Sequence, residues 1–200
     1  MAERTTACFL LVCCLLSAGA AQAQIKSPGA HESYSAELEP HLVVQWHDEP
    51  YWDDEGFGLG LRASFPVIDN GPITTINNSL AIGVGLDWAH FDDACDIYNI
   101  NLNDDDCSAN DFWVPVVLQW NFFFSKLVSA FPELGLAVQH SSWDVGICRR
   151  GNNNYYRCDD DDTDIELVLW LGVRFHVADN FAITLRLGTP SLLLGASFFL

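Results

Sequence analysis

The feature that most constrains the fold of this chain is an alternation of apolar residues with polar or small residues that returns eight times. In LAIGVGLDW, residues 80–88, large apolar side chains occupy every second position, with Ala, Gly and Asp between them. A period of two residues is that of a β-strand, whose successive side chains point to opposite faces of a sheet. The segments are about 9 to 13 residues long, near the length of a tilted strand that crosses a bilayer, whereas strands of soluble proteins mostly have about 5 to 6 residues. The pattern therefore predicts eight long strands.

The connections between these strands differ between the two ends of the predicted barrel. The predicted strands are ELEPHLVVQWH (37–47), GFGLGLRASFPV (56–67), LAIGVGLDW (80–88), FWVPVVLQWNFFF (112–124), PELGLAVQHSS (132–142), IELVLWLGVRFHV (165–177), FAITLRLGT (181–189) and SLLLGASFFL (191–200). On one side three of the four connections, 48–55, 91–111 and 143–164, are long and polar, and the fourth is a tight turn at 189–191. The other side has IDNGPITTINNS and the short segments SKLV and ADN. Short turns at one rim and long loops at the other are typical of bacterial outer-membrane barrels. We predict an all-β fold, an antiparallel up-and-down eight-stranded transmembrane β-barrel over residues 36–200.

The direction of the apolar faces distinguishes this barrel from a soluble one. In ELEPHLVVQWH the Glu and His residues occupy odd-numbered positions, and the even-numbered positions are apolar from Leu38 to Trp46. In a membrane barrel the apolar set faces lipid and the polar set lines the interior. A soluble lipocalin-like barrel or sandwich is the alternative, and its apolar faces would point inward. The aromatic residues favour the membrane, because Trp46 and Trp88 lie at the long-loop ends of their strands and Phe65 and Phe175 lie toward the short-turn ends.

The first 23 residues have the pattern of a secretory signal peptide. Arg4 precedes an apolar run from Ala7 to Ala20, and Ala21-Gln22-Ala23 forms a small-residue cleavage site. The run is shorter than the roughly 18 to 20 residues that span a membrane as a helix. We therefore predict a removed signal peptide at 1–23, with an N-terminal anchor as the alternative, and a short N-terminal segment at 24–35 before the barrel.

Four of the seven cysteines remain after residues 1–23 are removed, and they form two local pairs. Each pair lies within one polar connection of an exported chain, so disulfides are predicted between Cys95 and Cys107 and between Cys148 and Cys158. The alternative, a metal site, needs C-x2-C spacing or neighbouring His ligands, which neither pair has. No metal and no cofactor are predicted.

Negative charge dominates the mature chain. Cleavage removes one of the 27 acidic and one of the 9 basic residues, so 26 and 8 remain, and the net charge stays at −18. Such an excess argues against a nucleic-acid partner, because binding to nucleic acid depends on Lys and Arg. Eighteen of the 26 acids lie in the three long connections. We expect a solvated acidic rim there, and divalent cations such as Ca²⁺ that bridge to lipopolysaccharide are the alternative.

The polar faces of the strands carry ionisable residues that would meet inside the barrel. An eight-stranded barrel is just wide enough to be filled by its own side chains, so these charges must pair. If Ser142 and Ile165 face each other, counting back along both strands places Glu133 opposite Arg174. The same count from His47 and Gly56 places His41 opposite Arg62, with Glu39 one diagonal away. The predicted lumen charge network consists of Glu37, Glu39, His41, Arg62, Asp87, Glu133, Glu166, Arg174 and Arg186.

The chain resembles the small eight-stranded outer-membrane proteins, the OmpA/OmpX-type barrels, over residues 36–200. The most specific element is the end SLLLGASFFL, in which apolar and small or polar residues alternate up to Leu200. This end is similar to the signal read by the outer-membrane assembly machinery. The aromatic residue on its apolar face is Phe198, and the last residue is Leu200. The resemblance implies a monomer in the outer membrane, with long loops extracellular and short turns and both termini periplasmic. The function it implies is structural or surface-interacting rather than enzymatic.

Two alternative functions have specific residues to support them. The segment QHSSW places His140 and Ser142 two apart near the long-loop rim, which resembles the H-x-S element of outer-membrane lipid A deacylases. A serine hydrolase also needs an acid to orient the base, and no residue is assured in that role. A narrow ion or small-solute channel through the charged interior is the other alternative. We predict neither activity.

Overall fold

The computed structural model describes the backbone of residues 24–46, 55–92, 108–150 and 154–200, and the side chains of these residues except 143–160. Within those ranges the chain forms eight strands: β1 Glu37–Trp46, β2 Glu55–Ile68, β3 Asn78–Phe91, β4 Ser108–Phe123, β5 Val128–Arg150, β6 Asn154–Ala178, β7 Phe181–Thr189 and β8 Ser191–Phe199. None of the helical turns described is long and apolar enough to cross a membrane.

The eight strands form a closed antiparallel barrel. Each strand pairs with the next, and β8 pairs with β1 to close the sheet. Closure removes the unpaired strand edges that an open sheet would present. The predicted fold class is confirmed. We call the rim at the β2–β3, β4–β5 and β6–β7 connections the short-turn rim, and the opposite rim the long-loop rim.

The barrel is apolar outside and polar inside. Leu42, Leu59 and Leu136 on the outer face are 54%, 59% and 54% exposed, whereas Glu133 and Arg186 on the inner face are fully buried. This arrangement is the reverse of a soluble barrel, in which the apolar face is buried. The lipocalin-like alternative, with its apolar faces inward, is therefore wrong.

Strands β5 and β6 extend well beyond the predicted ends at 142 and 165. The two strands remain paired up to Arg150 and Asn154, so most of the predicted loop at 143–164 is a continuation of the hairpin. Strand β7 pairs with β6 only as far out as Leu169, opposite Thr189. The hairpin therefore extends past the β7–β8 turn on one side of the barrel. The sequence pattern did not predict this extension, because most of its residues are polar and the alternation of apolar and polar residues is lost there.

The N-terminal segment folds against the short-turn rim. The ring of His31 stacks on Phe123 at 4.1 Å between centroids, and its Nδ1 lies 2.6 Å from Asn77 Oδ1. Ser35 donates from its backbone N and its Oγ to the carbonyl of Leu200, at 2.7 and 2.8 Å. Residues 24–36 thus tie three parts of the rim together.

Candidate functional site

The interior of the barrel, which we call the lumen, contains a network of buried charges. Eight of the nine predicted residues lie there, each at most 5% exposed: Glu37, Glu39, His41, Arg62, Asp87, Glu133, Arg174 and Arg186. We call these eight residues the charged network. They come from six strands, β1, β2, β3, β5, β6 and β7. The inward parity of each strand brings together residues that lie up to 149 positions apart, from Glu37 to Arg186.

Arg174 on β6 is held at the short-turn end of the network. Its Nε and Nη2 donate to the two carboxylate oxygens of Glu37 at 2.8 and 2.7 Å, and its Nη1 donates to Asn121 Oδ1 at 2.8 Å. The guanidinium lies over the ring of Phe131, 3.9 Å from its centroid. A bidentate Arg–carboxylate pair of this kind is among the stronger hydrogen-bonded contacts in proteins, and here the side chains of both partners are 1% exposed.

Glu133 connects two guanidinium groups in the middle of the lumen. Its Oε2 lies 3.0 Å from Arg62 Nη1 and 3.2 Å from Arg186 Nε. Arg62 also donates to Asp87 at 3.2 Å, and Arg186 donates to Glu39. Because each carboxylate reaches at least one cation, the desolvation of these charges is offset by pairing.

His41 lies between two acceptors within the same network. Its Nε2 is 2.8 Å from Asp87 Oδ1, and its Nδ1 is 3.1 Å from the backbone carbonyl of Glu39. Gly60 faces His41 across the β1–β2 pair, and a Cβ at Gly60 would collide with the imidazole ring and with the Asp87 carboxylate. A glycine on β2 thus provides the space that this hydrogen-bonded pair needs.

Both predicted cross-strand charge pairs are wrong. Glu133 faces Trp170, and Arg174 faces Ser129. The prediction places Ser142 opposite residue 165, but Ser142 faces Asp161. The register differs by four residues because the β5–β6 hairpin is longer than predicted.

The β1–β2 count was wrong by two residues. His41 faces Gly60, and Arg62 faces Glu39.

The prediction that Glu166 lies in the lumen is wrong as well. Glu166 is on the same face of β6 as Trp170, but it lies beyond the outermost β6–β7 pair, and its side chain is exposed.

A second group of buried polar residues lies near the long-loop rim and was not predicted from the sequence. Asp111 Oδ2 accepts hydrogen bonds from Gln45 Nε2 at 2.7 Å and from Gln139 Nε2 at 3.2 Å. Asp111 had been assigned to an acidic loop, but it lies in β4 and is 2% exposed. The alternation of the sequence could have placed Asp111 in the lumen. Gln119 and Trp113 occupy inward-facing positions of β4, and counting back by two residues from Trp113 reaches position 111.

His140 and Ser142 lie near the long-loop rim without forming a nucleophile–base pair. His140 Nδ1 is 2.8 Å from Thr163 Oγ1 on β6, and Ser142 Oγ donates to the backbone carbonyl of Asn110 at 3.4 Å. A serine nucleophile must donate its proton to the base that activates it. In the present geometry each side chain is engaged elsewhere.

The predicted disulfides fall outside what the structure describes. Cys95 and Cys107 lie in the range 93–107, and the side chains of Cys148 and Cys158 lie in the range 143–160. Among the described side chains, no group of three or more His, Cys, Asp or Glu residues is placed to bind a metal ion.

Comparisons with known proteins identify the fold. No protein-family model matches the chain, and no curated protein matches it by sequence. The crystal structure of Neisserial surface protein A covers 84% of this chain and 100% of its own, at 12% identity and a TM-score of 0.57. Ail, the attachment invasion locus protein of Yersinia pestis, crystallised with the heparin analogue sucrose octasulfate, covers 82% of this chain and 96% of its own, at 13% identity and a TM-score of 0.49. The match to Neisserial surface protein A, together with the closed sheet of eight strands, shows that the chain has the fold of the small eight-stranded outer-membrane β-barrels.

Proposed function

We propose that this chain is an outer-membrane protein with a structural or surface-interaction role. The observation that carries the proposal is the apolar outer face, with Leu42 and Leu136 each 54% exposed around a lumen of buried charges. A closed barrel with this polarity is stable only if hydrocarbon surrounds it, because water would contact the whole apolar face. The predicted signal peptide and the C-terminal alternation agree with export and assembly into that membrane.

The long-loop rim is the side through which the protein would meet its surroundings. We infer that this rim is extracellular and that the short turns and both termini are periplasmic, as in bacterial barrels with short periplasmic turns. The acids of the long connections and of the β5–β6 hairpin would then face the outer surface. Lipopolysaccharide, with divalent cations between its phosphates and these acids, is the partner that this charge favours. The two predicted disulfides would restrain these segments.

General porin activity and hydrolysis are both disfavoured. The lumen is filled by Arg62, Arg174 and Arg186 with their carboxylate partners, and by the buried rings of Trp170 and Phe131. Large solutes would have to displace these side chains. A lipid A deacylase would need Ser142 activated by His140, but His140 bonds to Thr163 instead.

Membrane fractionation of cells that express the full chain tests the proposal. The mature protein should be recovered with the outer membrane. In mild detergent it should migrate as a compact band when unheated and shift on heating, because the closed barrel resists unfolding. External protease should cut at the long connections in intact cells. Recovery as a soluble periplasmic protein would contradict the membrane assignment, and cleavage at the short turns alone would reverse the orientation.

A further inference from the structure

A cavity lies at the short-turn rim, between the N-terminal segment and the ends of β4, β6 and β8. Its volume is about 60 Å³, it is partly open to solvent, and we call it the rim cavity. The residues that line it include three aromatic rings and three exposed charged side chains: Tyr34, Phe123, Phe199, Glu32, Lys126 and Asp179. The role proposed for the long-loop rim does not use this cavity.

The aromatic wall of the rim cavity is built from rings that contact one another or a histidine. Tyr34 meets Phe199 edge-on with centroids 4.9 Å apart, and Phe199 stacks on His176 at 5.4 Å. Phe123 stacks on His31 at 4.1 Å. Because the face of an aromatic ring carries partial negative charge, it attracts a cation, most strongly where water is excluded. The wall therefore favours a cation over an anion.

The hydroxyl of Tyr34 gives a second indication of a ligand. Its oxygen is buried and has no hydrogen-bond partner in the part of the chain that the structure describes. Buried hydroxyl groups in proteins are mostly hydrogen-bonded, because leaving such a bond unmade costs free energy. A phenol oxygen can accept a hydrogen bond from an N–H group, so a ligand that carries such a group would satisfy it.

The charges and the size of the rim cavity narrow the class of ligand. Among the lining residues Glu32 and Asp179 are acidic and Lys126 is basic, so one positive and two negative charges give −1 when the two histidines are neutral. An engineered cavity of roughly 150 Å³ holds one benzene molecule, so the rim cavity has room for about two or three non-hydrogen atoms. That is the size of the end of an alkyl chain with its ammonium group.

We propose that the rim cavity binds a primary ammonium group at the end of an alkyl chain. An N–H of the ammonium donates to the hydroxyl oxygen of Tyr34, the CH₂ groups lie against Phe123 and Phe199, and Glu32 and Asp179 attract the charge. A free alkylamine and the ethanolamine headgroup of a phospholipid offer this same chemistry. Only the lipid source rests on the proposed membrane location, because a free amine reaches the cavity from solution.

Solution NMR of the folded full chain in detergent micelles tests the site, with ethylammonium chloride as the probe. Ethylammonium should shift the backbone amide signals of Tyr34, Ser125 and Phe199, which line the cavity, and the shifts should saturate. The amide of Ala89, near the long-loop rim, should not respond. Ethanol has the same number of non-hydrogen atoms and no charge, so it should produce no saturable shift, and neither should NaCl at equal ionic strength.

Substitutions of the charged residues distinguish an ammonium site from an anion site by the sign of their effects. Glu32→Gln should weaken ethylammonium binding about two- to fivefold, and Lys126→Gln should strengthen it, because the lining loses its one basic residue. Glu55→Gln is the matched control, since Glu55 is an exposed acid at the long-loop rim, and it should leave the affinity unchanged. Saturable shifts with acetate that Lys126→Gln abolishes would show an anion site and overturn the proposal.

Tyr34→Phe tests the hydroxyl directly, because it keeps the aromatic ring and removes the oxygen. It should weaken ethylammonium binding, and an affinity equal to that of the wild type in both Tyr34→Phe and Glu32→Gln would overturn the proposal. Nanodiscs distinguish the two sources of the ammonium group. Phosphatidylethanolamine mixed into phosphatidylglycerol should raise the apparent Kd for ethylammonium if the headgroup competes, whereas an equal Kd in phosphatidylglycerol alone would assign the cavity to free amines. A heat-shifted band without saturable shifts in any medium would overturn the site and leave the proposed membrane barrel intact.

Discussion

Single residues in the lumen show how a charged interior is stabilised inside an apolar barrel. Arg174 receives three kinds of contact: the carboxylate of Glu37, the amide oxygen of Asn121 and the face of Phe131. The ring contributes because its negative face attracts a cation, and more strongly where water is excluded. At the short-turn end, burial raises the pKa of the Tyr34 phenol, and the negative charge of Glu37 acts in the same direction. Tyr34 therefore stays neutral beside the pair.

Removal of Arg174 should be costly because its partner is left behind. Arg174→Ala should lower the free energy of unfolding by about 3 to 5 kcal/mol, since Glu37 would remain buried without a cation. Adding Glu37→Gln should restore part of the loss, as neighbouring residues are coupled. Urea unfolding of the folded barrel measures all three proteins. Glu133→Gln is the matched control, because Glu133 pairs with Arg62 and Arg186 instead. Equal restoration by both substitutions would contradict the pairing.

At the scale of elements, the β5–β6 hairpin differs from the rest of the sheet. Outward from Leu169, β6 pairs with β5, and no described strand pairs with its other edge. That edge carries Asp161, Asp162, Asp164 and Glu166, all exposed. Charged residues on an unpaired edge discourage a second chain from pairing with it. Glu166 thus belongs to the exposed acids of this segment and not to the lumen.

The cysteine pairs belong to this scale, because each would restrain one connection or hairpin. Mass spectrometry of a non-reduced digest should show Cys95 linked to Cys107 and Cys148 linked to Cys158. Each link would close a loop of about 11 to 13 residues and add about 3 kcal/mol of stability, since it restricts the unfolded chain. Crossed links would instead tie the two segments together. Free thiols in the folded protein would contradict the prediction and favour a metal role.

The whole molecule is a barrel whose interior is filled by side chains. Trp170 and Phe131 are each 1% exposed, and the guanidinium of Arg62 lies 4.9 Å from the Trp170 ring. At the short-turn rim, the stacked rings of His31 and Phe123 add a further layer. An eight-stranded barrel leaves little space beyond these groups. A structural or surface role fits this interior better than transport does.

Purified wild-type protein in planar bilayers should therefore give at most small and infrequent conductance. Ions would have to pass the paired charges around Glu133 and the apolar group that contains Trp113 and Trp170. Arg62→Ser combined with Trp170→Ala would shorten two of the largest side chains and should raise the conductance. Steady, large and weakly selective channels from the wild type would contradict a filled lumen.

The sequence by itself determined which face of each strand is apolar. Alternation is a local property, since successive side chains of a strand point to opposite sides whatever the strand pairs with. It therefore identified eight strands and eight of the buried charges, including Arg186, without any knowledge of the pairing. It failed where the local pattern stops, because the polar extension of β5 and β6 was taken for a loop. Asp111 is a different case: the alternation of β4 reaches it, but it was counted among the loop acids.

Only the tertiary structure decided which inward residues meet. Register depends on where each hairpin ends, and a shift of two or four residues keeps the same parity while changing every partner. That is why Glu133 and Arg174 were paired wrongly, although both were correctly assigned to the interior. The contact of Arg186 with Glu39 further requires β8 to close on β1, bringing together residues 147 positions apart. Closure is a property of the whole sheet, so no local segment of the sequence contains it.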